Sequence, residues 1–199
     1  TSTSNISGAN VLLVRKNPTV GQYPTIEDAI NAITAPSDTN RWLILVGVGQ
    51  FTENTLVLPN YTSVIGASIQ GTQIFPTTST QHIFELGVYN EISFMWLQGA
   101  GSGYSAIHVN DSGNYSQAHK VTFTDNDINV LVESATQDTF FYGEYLDFNG
   151  TYSYGLKIIS TNGFKAFANI ENYYNFPTGG TAIANYMTGT NTDVHLLAG

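Results

Sequence analysis

Phe84-Glu85-Leu86, Ile107-His108-Val109, Val130-Leu131-Val132, Leu156-Lys157-Ile158 and Ala182-Ile183-Ala184 share one pattern, an apolar residue on each side of an unconstrained one. Successive members start 23, 23, 26 and 26 residues apart. A second series interleaves with the first: Ile92-Ser93-Phe94, Val121-Thr122-Phe123, Leu146-Asp147-Phe148, Ile170-Glu171-Asn172 and Val194-His195-Leu196, at steps of 29, 25, 24 and 24. Alternation marks a strand with one buried face, and a fixed period of this length marks a repeat architecture. A β-sandwich also has many short strands, but it predicts turns every 8–12 residues and no repeat near two dozen. Two interleaved series therefore predict a solenoid, a right-handed parallel β-helix with coils of about 24 residues. Equivalent residues of neighbouring coils then stack at about 4.8 Å. The inward positions form apolar columns, with Phe94, Phe123 and Phe148 expected as an aromatic one.

Upstream of the repeats the pattern changes. Val11 to Val14 is a short apolar run and reads as a first strand. Asn17 to Tyr23 is rich in turn formers. Thr25 then offers an N-cap, Asp28 stands three residues on as its capping-box partner, and Ile26, Ala29, Ile30 and Ile33 share one helical face. Pro36 and the polar run Ser37 to Asn40 end this helix. A helix so short must lay its apolar stripe on something, and it is expected to cap the N-terminal end of the solenoid. Trp42 to Val46, Leu56-Val57-Leu58 and Ser63-Val64-Ile65 continue as strands. The expected organisation is a lead-in over residues 1–10 and a single all-β domain over 11–199. Its first strand and capping helix occupy 11–36, its coils occupy 42–199, and the whole is one segment of a longer protein. The last coil carries no evident cap, so a continuing chain or a partner is expected beyond Gly199.

Composition fits strands and turns. Only 11% of the 199 residues are charged, so the polar surface is built from Thr, Ser, Asn and Gly. Six Lys and Arg against fifteen Asp and Glu leave a net charge of −9. That balance argues against nucleic acid and against an anionic membrane surface as partners. No stretch approaches the roughly 20 apolar residues of a membrane span. Cysteine is absent, so there is neither a disulfide framework nor a thiolate metal site.

The stretch Tyr23-Pro24-Thr25-Ile26-Glu27-Asp28-Ala29-Ile30-Asn31-Ala32-Ile33 resembles the opening of the pectin-lyase-like proteins. So do Leu43-Ile44-Leu45-Val46, Gly47-Val48-Gly49-Gln50-Phe51-Thr52-Glu53-Asn54 and Ser63-Val64-Ile65-Gly66, in the same order and spacing. That family opens with a T-I-x-x-A-I helix, an I-x-V-x-P-G-x-Y-x-E strand and turn, and a V-x-I-x-G strand. Val48 and Phe51 stand where the family has Pro and Tyr. The likeness covers residues 11–68, and the rest of the chain matches only as generic coils. It implies the right-handed parallel β-helix, which pectinesterases, pectate lyases and many phage tail spikes and fibres share, and it specifies no reaction.

The chemistry the resemblance implies does not map onto this chain. Pectate lyases of this fold use Arg beside Ca²⁺ held by Asp, and pectinesterases use two Asp with Arg and Gln. The two arginines here, Arg15 and Arg41, lie before or inside the first coil, and Lys120, Lys157 and Lys165 are the basic residues farther along. The paired Asp and Gly-His-Gly of polygalacturonases are missing. A glycoside hydrolase needs two carboxylates, about 5–5.5 Å apart in retaining enzymes. Asp147 and Glu171 are expected at equivalent outward positions of successive coils, with His195 next, which makes them the candidate catalytic pair. A solvated column of splayed charges is the plainer account of the same residues. His82, His108, His119 and His195 are expected as surface polar residues. Tyr142, Tyr145, Tyr152, Tyr154, Tyr173 and Tyr174 crowd the C-terminal third and are the candidate ligand-binding residues, as platforms for sugars or as an interface. No cofactor and no catalytic metal are expected. The loop Asp125-Asn126-Asp127 leaves room for a structural Ca²⁺.

The expected function is a structural or glycan-binding module of a phage or viral surface appendage, a tail fibre or spike, located on the virion or outside the cell. Its expected partners are copies of itself in a trimer, other virion proteins, and a glycan. The alternatives are a polysaccharide-degrading enzyme on the same scaffold and a bacterial surface adhesin.

Overall fold

The structure, a computed structural model, describes residues 9–110, 115–150, 153–160, 166–174, 181–187 and 192–197. The chain opens with β1 (Ala9–Val14), α1 (Ile26–Asn31), β2 (Arg41–Val46), β3 (Gly49–Glu53), β4 (Leu56–Val57), β5 (Thr62–Gly66), β6 (Thr72–Pro76) and β7 (Phe84–Leu86). It continues with β8 (Glu91–Gln98), β9 (Ser105–Asn110), β10 (Tyr115–Thr124), β11 (Ile128–Ser134) and β12 (Thr139–Asn149). The last strands are β13 (Tyr154–Ser160), β14 (Ala166–Tyr174), β15 (Thr181–Met187) and β16 (Thr192–Leu197). Every named strand pairing is parallel. One sheet runs β1-β2-β5-β8-β10-β12-β14-β16, with β3 and β6 joined to it through β8. The other runs β4-β7-β9-β11-β13-β15. Alternate strands in sequence thus feed two sheets, as a right-handed parallel β-helix requires, and the expected architecture is the observed one.

The core is a set of columns. Phe51, Ile74, Leu97, Phe123 and Phe148 follow one another through the register of the larger sheet, all buried, and the last two rings lie 5.3 Å apart. Phe84, Ile107, Val130 and Leu156 do the same in the smaller sheet. The first triplet series therefore holds its register, except that its last member is Ile183-Ala184-Asn185, one residue later than expected.

The second series mixes two columns. Strands β8, β10 and β12 each bend sharply at one residue with left-handed backbone: Phe94 (φ 56°), Lys120 (φ 51°) and Tyr145 (φ 53°). Ile92, Ala118, Gly143 and Ile170 stack before the bend, whereas Met95, Val121 and Leu146 stack after it. Phe94 is therefore no member of the aromatic column. It sits at the bend, 37% exposed, and Leu97 holds the place expected for it. Gly66 allows the bend to close, because a Cβ there would come within 2.1 Å of the Phe94 carbonyl oxygen.

Helix α1 lies over the first coil and buries Ile26 and Ala29. Thr25 caps it, accepting the Asp28 N–H at 3.0 Å while its hydroxyl donates to the Asp28 carboxylate at 2.6 Å. A second cap comes from the strand beneath. Glu53, buried on β3, accepts the Ile26 N–H at 2.9 Å and the Glu27 N–H at 3.4 Å. These are two of the donors that a helix start leaves without partners. Burial pushes the Glu53 carboxyl above its ordinary value, against the pull of those two N–H groups.

Candidate functional site

The bends open a groove of about 960 Å³ on the outer face of the larger sheet. Its floor is a column of outward side chains: Trp96, Thr122 and Asp147 are register partners on β8, β10 and β12. One wall is the bend itself. Lys120 Nζ lies 5.1 Å from the centre of the Phe94 ring and 5.8 Å from that of Tyr145, so the ammonium sits between two aromatic faces. The turn Ala67-Ser68-Ile69-Gln70 after β5 and Asn149, two residues past Asp147 on β12, complete the lining. Left-handed backbone costs about 1–2 kcal/mol for a residue with a Cβ. Its recurrence at three aligned positions turns three side chains out along one edge of the groove. Phe94 and Tyr145 are 37% and 41% exposed. The result is two flat apolar faces beside a cation, a carboxylate, a hydroxyl and an amide.

The expected catalytic residues are separated. Asp147 pairs with Thr122 on one side and Tyr174 on the other, and Thr122 Oγ1 reaches its carboxylate at 3.5 Å. Glu171 pairs with Glu144, three residues earlier along β12. Asp147 and Glu171 are thus not register partners on successive coils, and His195 pairs with Asn169, at a third register position. The cause is the bend, since Leu146-Asp147-Phe148 follows it and Ile170-Glu171-Asn172 starts before it.

The tyrosines also part company. Tyr145 lines the groove, and Tyr174 takes the next register position after Asp147. Tyr173 pairs with Leu146. Tyr142 lies earlier on β12, its ring 5.7 Å from that of His119. Tyr154 belongs to the smaller sheet, under Lys157 Nζ at 5.1 Å. Tyr152 lies outside the described residues. Trp96 and Phe94, which sequence reading left out of the site, supply much of its apolar surface. Asp127 accepts the Gly103 N–H at 2.7 Å and the Ser153 hydroxyl, so its carboxylate ties neighbouring turns together.

His108 is not a surface residue. It is 6% exposed and sits among His82, Glu85 and Glu133 on the smaller sheet. Burial, followed by the neighbouring His108, lowers the His82 pKa below its ordinary value. The hydrogen bond from His108 outweighs burial and lowers that of Glu133. The arginines stay at the N-terminal end: Arg15 donates to the carbonyls of Val14 and Leu45, and Arg41 pairs with Asp38 at 2.7 Å.

Among solved structures, pectin methylesterase PemA from Erwinia chrysanthemi superposes with a TM-score of 0.64 at 17% identity, over 98% of this chain and 67% of that one. The likeness is one of fold, a parallel β-helix. A pectin methylesterase in complex with a hexasaccharide superposes with a TM-score of 0.50 at 18% identity, over the same shares of both chains. No family model matches the sequence, and no curated protein does. No helix among the described residues is long and apolar enough to cross a membrane.

Proposed function

We propose that this β-helix is a glycan-binding module of a phage or viral surface appendage, and that the groove along Trp96, Thr122 and Asp147 takes the glycan. One observation carries the reading: the groove sets the exposed rings of Phe94 and Tyr145 beside Lys120, Thr122, Asp147 and Asn149. Sugars present apolar C–H faces between hydroxyls, and a site for them combines aromatic platforms with a few fixed polar groups. Lys120 extends the range to acidic sugars. The low fraction of charged residues, 11%, supports the appendage reading, since a surface built mostly from uncharged polar residues suits a rigid fibre. The module acts as a trimer in this reading, and light scattering on a size-exclusion column measures that directly.

The test is titration calorimetry with acidic and neutral oligosaccharides on the whole chain. Tyr145→Ala and Lys120→Ala are expected to weaken binding about 10-fold each, from ~1–3 kcal/mol per lost stacking or charge contact. Affinity unchanged in both variants sinks the groove as the site.

Polysaccharide cleavage is the second reading, favoured by the carboxylate of Asp147 inside the groove. It requires product release from a polysaccharide that Asp147→Asn abolishes. Binding without cleavage leaves the first reading standing.

A further inference from the structure

We propose that His82, Glu85 and His108 form a binding site for a divalent first-row transition-metal ion such as zinc. The site lies on the outer face of the smaller sheet, away from the groove. Glu85 and His108 are register partners on β7 and β9, so the solenoid stacks them one coil apart. His82 precedes β7 and lies against His108, with ring centres 4.4 Å apart. One donor atom from each of the three residues lies within 4.8 Å of the other two. Donors on a tetrahedral zinc stand about 3.4 Å apart for bonds near 2.0–2.1 Å. Glu85 Oε1 already stands 3.8 Å from His108 Nδ1, and small rotations of the partly exposed His82 and Glu85 side chains bring the three donors to that spacing.

His108 points independently to a ligand. Its side chain is 8% exposed, and its Nε2 meets Glu133 Oε2 at 2.7 Å. Its Nδ1 is buried and has no hydrogen-bond partner. The nearest acidic group to that nitrogen is Glu85 Oε1 at 3.8 Å, too far for a hydrogen bond. With the proton on Nε2 held by Glu133, the Nδ1 lone pair is left facing a carboxylate. A buried lone pair beside an anionic oxygen is unfavourable until a cation lies between them. A histidine that ligates through one nitrogen and donates the other N–H to a carboxylate is the arrangement metal sites use to fix ring and tautomer. Ser105 holds the second histidine: its N–H and hydroxyl lie 3.0 and 2.8 Å from His82 Nδ1. The Ser105 N–H donates to His82 Nδ1, which leaves the ring proton on Nε2. Ligation through Nε2 displaces that proton to Nδ1, where the Ser105 hydroxyl accepts it in place of the bond from the Ser105 N–H.

The donor set selects the ion. Two imidazoles and one carboxylate suit Zn²⁺, Co²⁺, Ni²⁺ or Cu²⁺. Calcium and magnesium call for six or more oxygens, which these residues do not supply. A proton on His108 Nδ1 is the competing occupant, and it makes no stoichiometric metal site.

The experiment uses the untagged full chain. Zn²⁺ is titrated by calorimetry at neutral pH, and Co²⁺ is followed by its visible absorption. One ion per chain is expected, with tetrahedral-type Co²⁺ bands that Zn²⁺ displaces. Glu133→Gln is expected to weaken affinity 10–100-fold without abolishing it. His82→Gln and Glu85→Gln remove ligands at partly exposed positions, so folding is retained, and each is expected to weaken affinity at least 100-fold. Absence of Zn²⁺ and Co²⁺ binding at sub-millimolar concentration overturns the proposal. Binding that His82→Gln and Glu85→Gln leave unchanged overturns it equally, because the ion is then elsewhere.

Discussion

Replacing Glu53 with alanine should loosen the N-terminal end of the solenoid. The side chain is 3% exposed and holds the first two N–H groups of α1 from the strand below. Its removal leaves the buried Ile26 N–H without a partner, at about 1–3 kcal/mol. The Glu27 N–H, at 3.4 Å and nearer solvent, contributes less. The one buried methylene that is lost adds about 0.8 kcal/mol. Relief of the buried charge acts the other way, and the expected net loss is about 2 kcal/mol. Glu53→Gln keeps an oxygen for Ile26 and drops the charge, so it should cost about 1 kcal/mol or less. Solenoids need not unfold in one step, and the assay must report on the capped end. A Trp96→Phe background leaves Trp42, on β2 beneath the helix, as the sole tryptophan. Urea titrations followed by its fluorescence then give the loss directly. The raised carboxyl adds a pH signature. Its contribution is full below the ordinary carboxylate value and is lost as pH climbs through the raised folded value. Glu53→Gln should remove that dependence. An alanine variant within about 0.5 kcal/mol of the parent protein would refute the capping argument.

Phe123→Ala opens a cavity in the middle of the aromatic column and should cost about 3–5 kcal/mol in urea unfolding; a loss under about 1 kcal/mol contradicts the packing. Gly66→Ala drives a Cβ into the Phe94 carbonyl oxygen and should cost about 3 kcal/mol or more, read as a lower thermal midpoint; no change means the bend is not where it is described. Glu133, lowered by its hydrogen bond to His108, stabilises the fold above the ordinary carboxylate value, and the gain disappears as pH falls through its lower folded value. The parent protein should therefore lose more thermal stability from pH 6 to pH 3 than Glu133→Gln, and parallel losses in the two would discount the interaction.

The period of the repeats is enough to read the fold, because each coil must return an apolar pair to the same two sheets. The register within the coil is less legible. Ile92-Ser93-Phe94 and Met95-Trp96-Leu97 satisfy the same alternation on either side of a bend that leaves no mark on hydropathy. A triplet placed on the wrong side of that bend brings Asp147 and Glu171 together and hides Trp96 as the partner of Thr122. The histidine cluster has a visible signal: Glu85 and His108 are the central residues of consecutive triplets. Weighed one at a time, each histidine looks like a surface residue. Only the stacking of the triplets places His108 beside Glu85, and Glu133, the register partner of Asn110, reaches its ring from the next coil.

The three aligned bends have a consequence for how such a groove changes over generations. Each coil carries one floor residue and one edge residue, and each coil meets its neighbours through the ladders and the side chains stacked along them. Duplication of a coil would lengthen the trough by one rung, about 4.8 Å, and deletion would shorten it by the same step. Neither event would disturb the rungs already present, so the length of ligand the surface measures can vary in whole units while the chemistry along it is retained.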